Sequence, residues 1–156
     1  MKFFNKLAIA SALTVAATAV IAEPAKSLKH AERSTELRQA VFTLLGSNMG
    51  PLGAMAKGKI PLDAKAVEKN ALRINQLSLM IADYTKTDTS AFKVKTAALS
   101  KIWQEQDKFA GKIKDLTLAS TKLQQVAATG DANEIKKAIG GVGRTCGGCH
   151  DAFKEE

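Results

Sequence analysis

Residues 99–127 read LSKIWQEQDKFAGKIKDLTLASTKLQQVA, and their spacing decides the fold class. Leu99, Ile102, Gln106, Phe109, Ile113, Leu116, Ser120, Leu123 and Ala127 recur at alternating intervals of three and four. That period keeps one stripe facing its neighbours, as in a helix packed at a shallow crossing angle. Gly130 stops the helix, and no run of alternating β-branched residues elsewhere suggests a strand.

Outward from this seam the chain stays helical, with prolines only at 24, 51 and 61. A first helix is expected from Ser27 to Met49. It carries Leu37, Val41, Leu44 and Leu45 at helical spacing, with Arg38, Phe42 and Met49 on an adjoining stripe. Gly50-Pro51, Gly53 and Gly58 are expected to break it. Asp63 caps a second helix that presents Val67, Ala71, Ile74, Ser78 and Ile81 and ends near Tyr84. Residues 85–90 form a polar connector, and 91–98 lack a sustained stripe. Asp131-Ala132-Asn133-Glu134 reads as a capping box for a last helix carrying Ile135, Ala138, Ile139 and Val142. Four amphipathic helices with short connectors predict an all-α, antiparallel four-helix bundle.

The N-terminus stands apart. Lys2 and Lys6 precede an apolar run from Leu7 to Ile21, and Val20-Ile21-Ala22 offers a cleavage site before Glu23. The run is shorter than the roughly 20 residues that span a bilayer, so residues 1–22 read as a secretory signal peptide and residues 23–156 as one domain. Removing Lys2 and Lys6 lowers the formal charge from +8 to +6. The remaining lysines are scattered, with no basic block and little aromatic interleaving, which argues against nucleic acid.

The only two cysteines stand in Cys146-Gly147-Gly148-Cys149-His150, the C-x-x-C-H attachment pattern for c-type haem. Positions i, i+3 and i+4 share one helix face, so two thiols and an imidazole address one flat macrocycle, with His150 as the iron ligand. A thiol–disulfide oxidoreductase would need a βαβ context that is not visible. A zinc site would need the distant His30 as fourth ligand, and an exposed imidazole without a role fits His30 better. The glycines at 140, 141, 143, 147 and 148 weaken the last helix by about 1 kcal/mol each. They either admit the haem close to the backbone or mark a kink at Gly140-Gly141. Opposite His150, a methionine would saturate the iron and an apolar residue would leave a vacant position. Met49, Met55 and Met80 are candidates by spacing.

The chain at this point resembles cytochrome c′ and the wider class II c-type cytochromes. The resemblance rests on Arg38-Gln39, Lys57-Gly58 with Pro61 and Asp63, Ile102-Trp103, and Val142-Gly143 with Cys146 to Phe153. It implies one covalently bound haem c per subunit, held by Cys146 and Cys149, with His150 on the iron. It implies Arg38 and Gln39 on a haem propionate and Phe42 over the distal face. Phe42 cannot bind iron, so a five-coordinate centre follows; the alternative is a low-spin six-coordinate carrier with a methionine ligand. Lys154 stands where relatives carry a basic residue on the proximal side, but lysine lacks arginine's planar fork. The resemblance also implies a loop over residues 86–98, and Trp103 either beside the haem edge or in the bundle core. The expected protein is periplasmic and homodimeric. It carries electrons between redox partner proteins, binds small gases such as nitric oxide, or both, and is not an enzyme.

Overall fold

Side-chain caps set the starts of three of the long helices. The computed structural model describes residues 22–155; the signal peptide expected over 1–22 lies outside them but for Ala22. Helix α1 runs Leu28–Ala56, and the Ser27 hydroxyl accepts from the His30 amide at 3.2 Å. Helix α2 runs Ala64–Thr85, with Asp63 Oδ1 accepting from the amides of Lys65 and Ala66. A single turn, α3 (Lys101–Gln104), precedes α4 (Gln106–Ala127), and α5 runs Ala132–Phe153. Asp131 Oδ1 accepts from Asn133 and Glu134, but the capping box is only half made. The Thr129 hydroxyl takes the Asp131 amide, and Glu134 pairs with Lys137 instead.

Two expectations about helix ends are corrected. Helix α1 does not break at Gly50-Pro51 but continues through Pro51 to Ala56. A proline inside a helix costs about 3 kcal/mol. Burial of Leu52 and Met55 returns roughly 1.5–3 kcal/mol each, so packing outweighs propensity. The helix ends about two turns later than expected, where Gly58 at φ 69° lets its own amide reach Met55 O and the Lys59 amide reach Ala54 O, a Schellman closure. The seam helix, by contrast, is interrupted at Glu105 (φ −116°, ψ 51°). Trp103 fixes the preceding turn by donating from Nε1 to Thr85 O at 2.8 Å. Ile102 and Phe109 are nonetheless both buried, so the stripe survives the interruption. Gly140-Gly141 makes no break, and α5 is continuous.

The helices close a ring in which α2 meets α1 and α4, and α5 meets α4 and α1. The pairing is antiparallel. Asn75 bonds Thr117 and Thr121 while Thr85 bonds Trp103. Phe109 meets the Phe153 ring edge-on at 5.1 Å, whereas Lys112 reaches Gly148. Leu52, Val67, Ile74, Leu123, Ile135 and Val142 fill the centre. Residues 91–98 are extended, with Phe92, Val94, Thr96 and Ala98 turned inward and their neighbours exposed. This segment is stitched to the end of α5 by Leu99 N to Phe153 O and Glu155 N to Ala97 O. A short parallel pair, β1 (Glu23–Pro24) with β2 (Thr87–Asp88), fastens the start of the domain to the connector.

Candidate functional site

The motif sits on the last two turns of α5. Cys146 and Cys149 are free thiols, partly buried against the core. Burial pushes both thiols above their ordinary range; the neighbouring Cys146 thiol raises Cys149 further, and Lys112 opposes the rise. His150 is exposed. Adding a Cβ to Gly143 would bring it 3.8 Å from Met49 Cε, so the two helices α1 and α5 touch at this level.

That contact locates the opposite wall. His150 lies seven residues after Gly143, and Phe42 seven residues before Met49. On antiparallel neighbours both steps move about 10.5 Å in the same direction. Seven residues also turn a helix by almost two full turns, so Phe42 keeps the stripe of Met49 and His150 that of Gly143, each within about 20°. Phe42 and His150 therefore stand level on facing stripes. Phe42 is nonetheless 38% exposed. An exposed apolar ring, an exposed imidazole and two half-buried thiols thus stand toward the same end of the α1–α5 pair.

One turn beyond Phe42, Arg38 is 2% exposed. Its Nη2 donates to the hydroxyls of Thr35 and Thr96, each at 3.3 Å. Its Cζ lies 5.3 Å from the Trp103 ring centroid. Burial lowers its pKa, yet a guanidinium stays protonated. Its Nη1 is buried without a partner, and none of the ion pairs among the described residues includes it. A buried cation calls for an anion. The neighbouring Gln39 donates its amide to Lys95 O at 2.9 Å, holding the 91–98 segment against α1. Lys154 closes α5 in an extended conformation, exposed, with Nζ donating to Glu155 O. The same segment thus joins Arg38 and Gln39 on one side to Lys154 on the other.

These residues fit a haem. Two thiols are free for its vinyl groups, His150 is free for its iron, an apolar wall stands level with that imidazole, and the orphaned guanidinium nitrogen suits a propionate. The methionines lie elsewhere. Met49 is at the level of Gly143, Met55 is buried in the core, and Met80 is 37% exposed on the outer side of α1 and α2. Sequence reasoning missed the Thr35, Thr96 and Trp103 cage around Arg38. The threonines lie three residues before Arg38 and 58 after it; only the first had a helical-spacing signal.

Comparison with known proteins bears on the whole domain. Residues 33–154 match the family model described as Cytochrome C′. A cytochrome c′ of Cereibacter sphaeroides is 39% identical over 141 residues, covering 88% of this chain and 94% of that one. The structure of cytochrome c prime from Shewanella frigidimarina superposes with a TM-score of 0.73 at 35% identity, covering 81% of this chain and 97% of that one. A nitric oxide complex of a variant cytochrome c prime from Alcaligenes xylosoxidans superposes with a TM-score of 0.69 at 27% identity, covering 81% and 96%.

Proposed function

Because the chain belongs to the cytochrome c′ family and so binds haem c, we propose that it is a periplasmic protein whose iron takes one protein ligand, His150. Its work is electron transfer, binding of small gases such as nitric oxide, or both, rather than catalysis. The observation that carries this reading is the level pairing of Phe42 with His150 across α1 and α5. A phenyl ring has no lone pair to offer, so the position opposite the imidazole stays without a protein ligand.

The bound haem supplies an iron that exchanges one electron and accepts a diatomic ligand. The chain's own residues do the rest. Cys146 and Cys149 hold the ring by covalent bonds, and their half-buried setting keeps water from that edge. Phe42 restricts what reaches the distal face to small molecules. Arg38, held by Thr35, Thr96 and Trp103, neutralises a propionate, and Gln39 keeps the 91–98 segment in place beside it. Lys154 is the candidate donor on the His150 side. The nitric oxide complex of the Alcaligenes relative favours gas binding over carriage alone.

A second reading, a six-coordinate carrier, is favoured by one observation: Met49 shares the stripe of Phe42. It would require α1 to slide by two turns relative to α5. Absorption spectra separate the two readings. High-spin ferric and ferrous spectra that change on adding nitric oxide or carbon monoxide are expected; low-spin six-coordinate spectra in both states would overturn the vacant position.

Export and assembly belong to the same proposal. The mature protein is expected in the periplasmic fraction, beginning at Glu23. It is expected to dimerise through α1 and α2, whose outer groove of about 570 Å³ includes Leu44, Pro51, Leu77 and Met80, with Leu79 61% exposed nearby. A monomeric mass in analytical ultracentrifugation would refute the dimer.

A further inference from the structure

We propose that the end of the bundle remote from the haem motif docks on an anionic phospholipid surface. The charge of the domain is unevenly divided. The half that carries the motif (residues 22–42, 78–112 and 146–155) holds eleven Lys and Arg against nine Asp and Glu. The other half (residues 43–77 and 113–145) holds ten against five. Three of those five make local contacts but keep their charge. Asp63 and Asp131 turn to their own helix N-termini, and Glu134 pairs with Lys137.

The blunt end, where α1 passes into α2 and α4 into α5, carries Lys57, Lys59, Lys65, Lys69, Lys122, Lys136 and Lys137 against Asp63, Glu68, Asp131 and Glu134, a surplus of three. Lys57, Lys59, Lys65, Lys122 and Lys136 are exposed there, and none appears in an ion pair among the described residues. The turn between α1 and α2 is shaped to project. The left-handed Gly58 and the bond from the Lys59 amide to Ala54 O close α1. Residues 57–61 then stand clear of the bundle as Lys-Gly-Lys-Ile-Pro, with Ile60 41% exposed.

An exposed apolar tip flanked by lysines suits a flat anionic sheet. Headgroup phosphates meet the ammonium groups and the isoleucine enters the boundary above the acyl chains. The exposed Ile60 between two lysines favours a lipid boundary, where an apolar side chain gains by insertion, over an acidic protein surface. Docking at this end would leave the haem motif, at the opposite end, facing away from the membrane and open to soluble partners.

The test is co-sedimentation of the haem-loaded protein with vesicles of phosphatidylglycerol and phosphatidylcholine, and with phosphatidylcholine alone. Binding is expected only to the anionic vesicles, and is expected to fade between 0.1 and 1 M salt, as the screening length falls from about 10 to about 3 Å. Each lysine removed near the surface weakens binding about fivefold, so K57Q/K59Q is expected to weaken it by about twenty-five-fold. Lys93→Gln with Lys95→Gln, at the motif end, is expected to change little, and Ile60→Asp is expected to weaken binding without altering the haem spectrum. No binding to anionic vesicles at 0.1 M salt, or equal losses from the two lysine pairs, would overturn the proposal. So would binding to polyglutamate in its place, which would give this end to an acidic protein.

Discussion

The contact between α1 and α5 is closed at one level and open at the next. At Met49 and Gly143 a flexible thioether lies against a bare backbone, with Cε 3.8 Å from where a Cβ would stand. One heptad away, Phe42 and His150 stand on the same two stripes, and both remain exposed. The spacing of apolar residues is alike at the two levels; the closure is not. A stripe therefore tells which faces meet, and side-chain volume and chemistry tell whether protein or cofactor fills the space between them. A large ring and an imidazole with no partner mark the level where something else belongs.

The comparison breaks most completely if the cofactor is withheld. Cys146→Ser with Cys149→Ser is expected to abolish haem retention after denaturation. In that protein the last turns of α5, which carry Gly147 and Gly148, are expected to lose amide-exchange protection. The turns around Ile139 and Val142, both buried, are expected to keep theirs. Equal protection in the loaded and haem-free proteins would mean that the open level is held by the chain alone.

Arg38 sharpens the contrast through a change of sign. Without haem its Nη1 is buried and unpartnered, so Arg38→Leu is expected to stabilise the haem-free chain. With haem bound the same change leaves a carboxylate without its cation, and breaking such a buried pair costs about 3–5 kcal/mol. Denaturant unfolding of both forms measures the two differences. Destabilisation of the haem-free form would mean that the guanidinium serves the bundle through Trp103 and the threonines, not the cofactor.

Phe42 probes the open level directly. Phe42→Met places a thioether level with His150 and is expected to convert the spectrum to low spin; an unchanged spectrum would show that the two residues do not face each other. Phe42→Ala is expected to speed carbon monoxide binding about tenfold, equivalent to some 1.4 kcal/mol of barrier. Unchanged association rates in stopped flow would remove Phe42 from the path.

The sequence made the bundle, its caps and the haem attachment readable because each has a local signature. The 3,4 seam marks helix α4, Asp63 and Asp131 mark helix starts, and Cys146 to His150 marks the cofactor. It misread the C-terminal end of α1 because Gly50-Pro51 is a strong local breaker, while the burial of Leu52 and Met55 that overrides it depends on partners far along the chain. It missed the interruption at Glu105, since the Trp103 bond to Thr85 fixes that turn from another helix. The Arg38 cage was hidden for the same reason, with Thr96 reaching it from an extended segment that has no helical period. Phe42 as the distal residue came from family resemblance; the one-heptad step from Met49 and Gly143 gives only its level relative to His150.

The smallest effect falls at the closed level. A Cβ on Gly143 would meet Met49 Cε at 3.8 Å, an ordinary van der Waals contact with the end of a flexible side chain. Nothing there needs to move, and alanine is worth up to about 1 kcal/mol over glycine in a helix interior. Gly143→Ala is thus expected to raise the stability of the haem-free and haem-loaded proteins alike, with no change in spectrum or in carbon monoxide binding. A loss of haem or a spectral shift would show that Gly143 is bare for the cofactor's sake. The open stretch would then extend a full heptad further along α5, and Met49 would become a residue of the haem pocket instead of the packing that closes it.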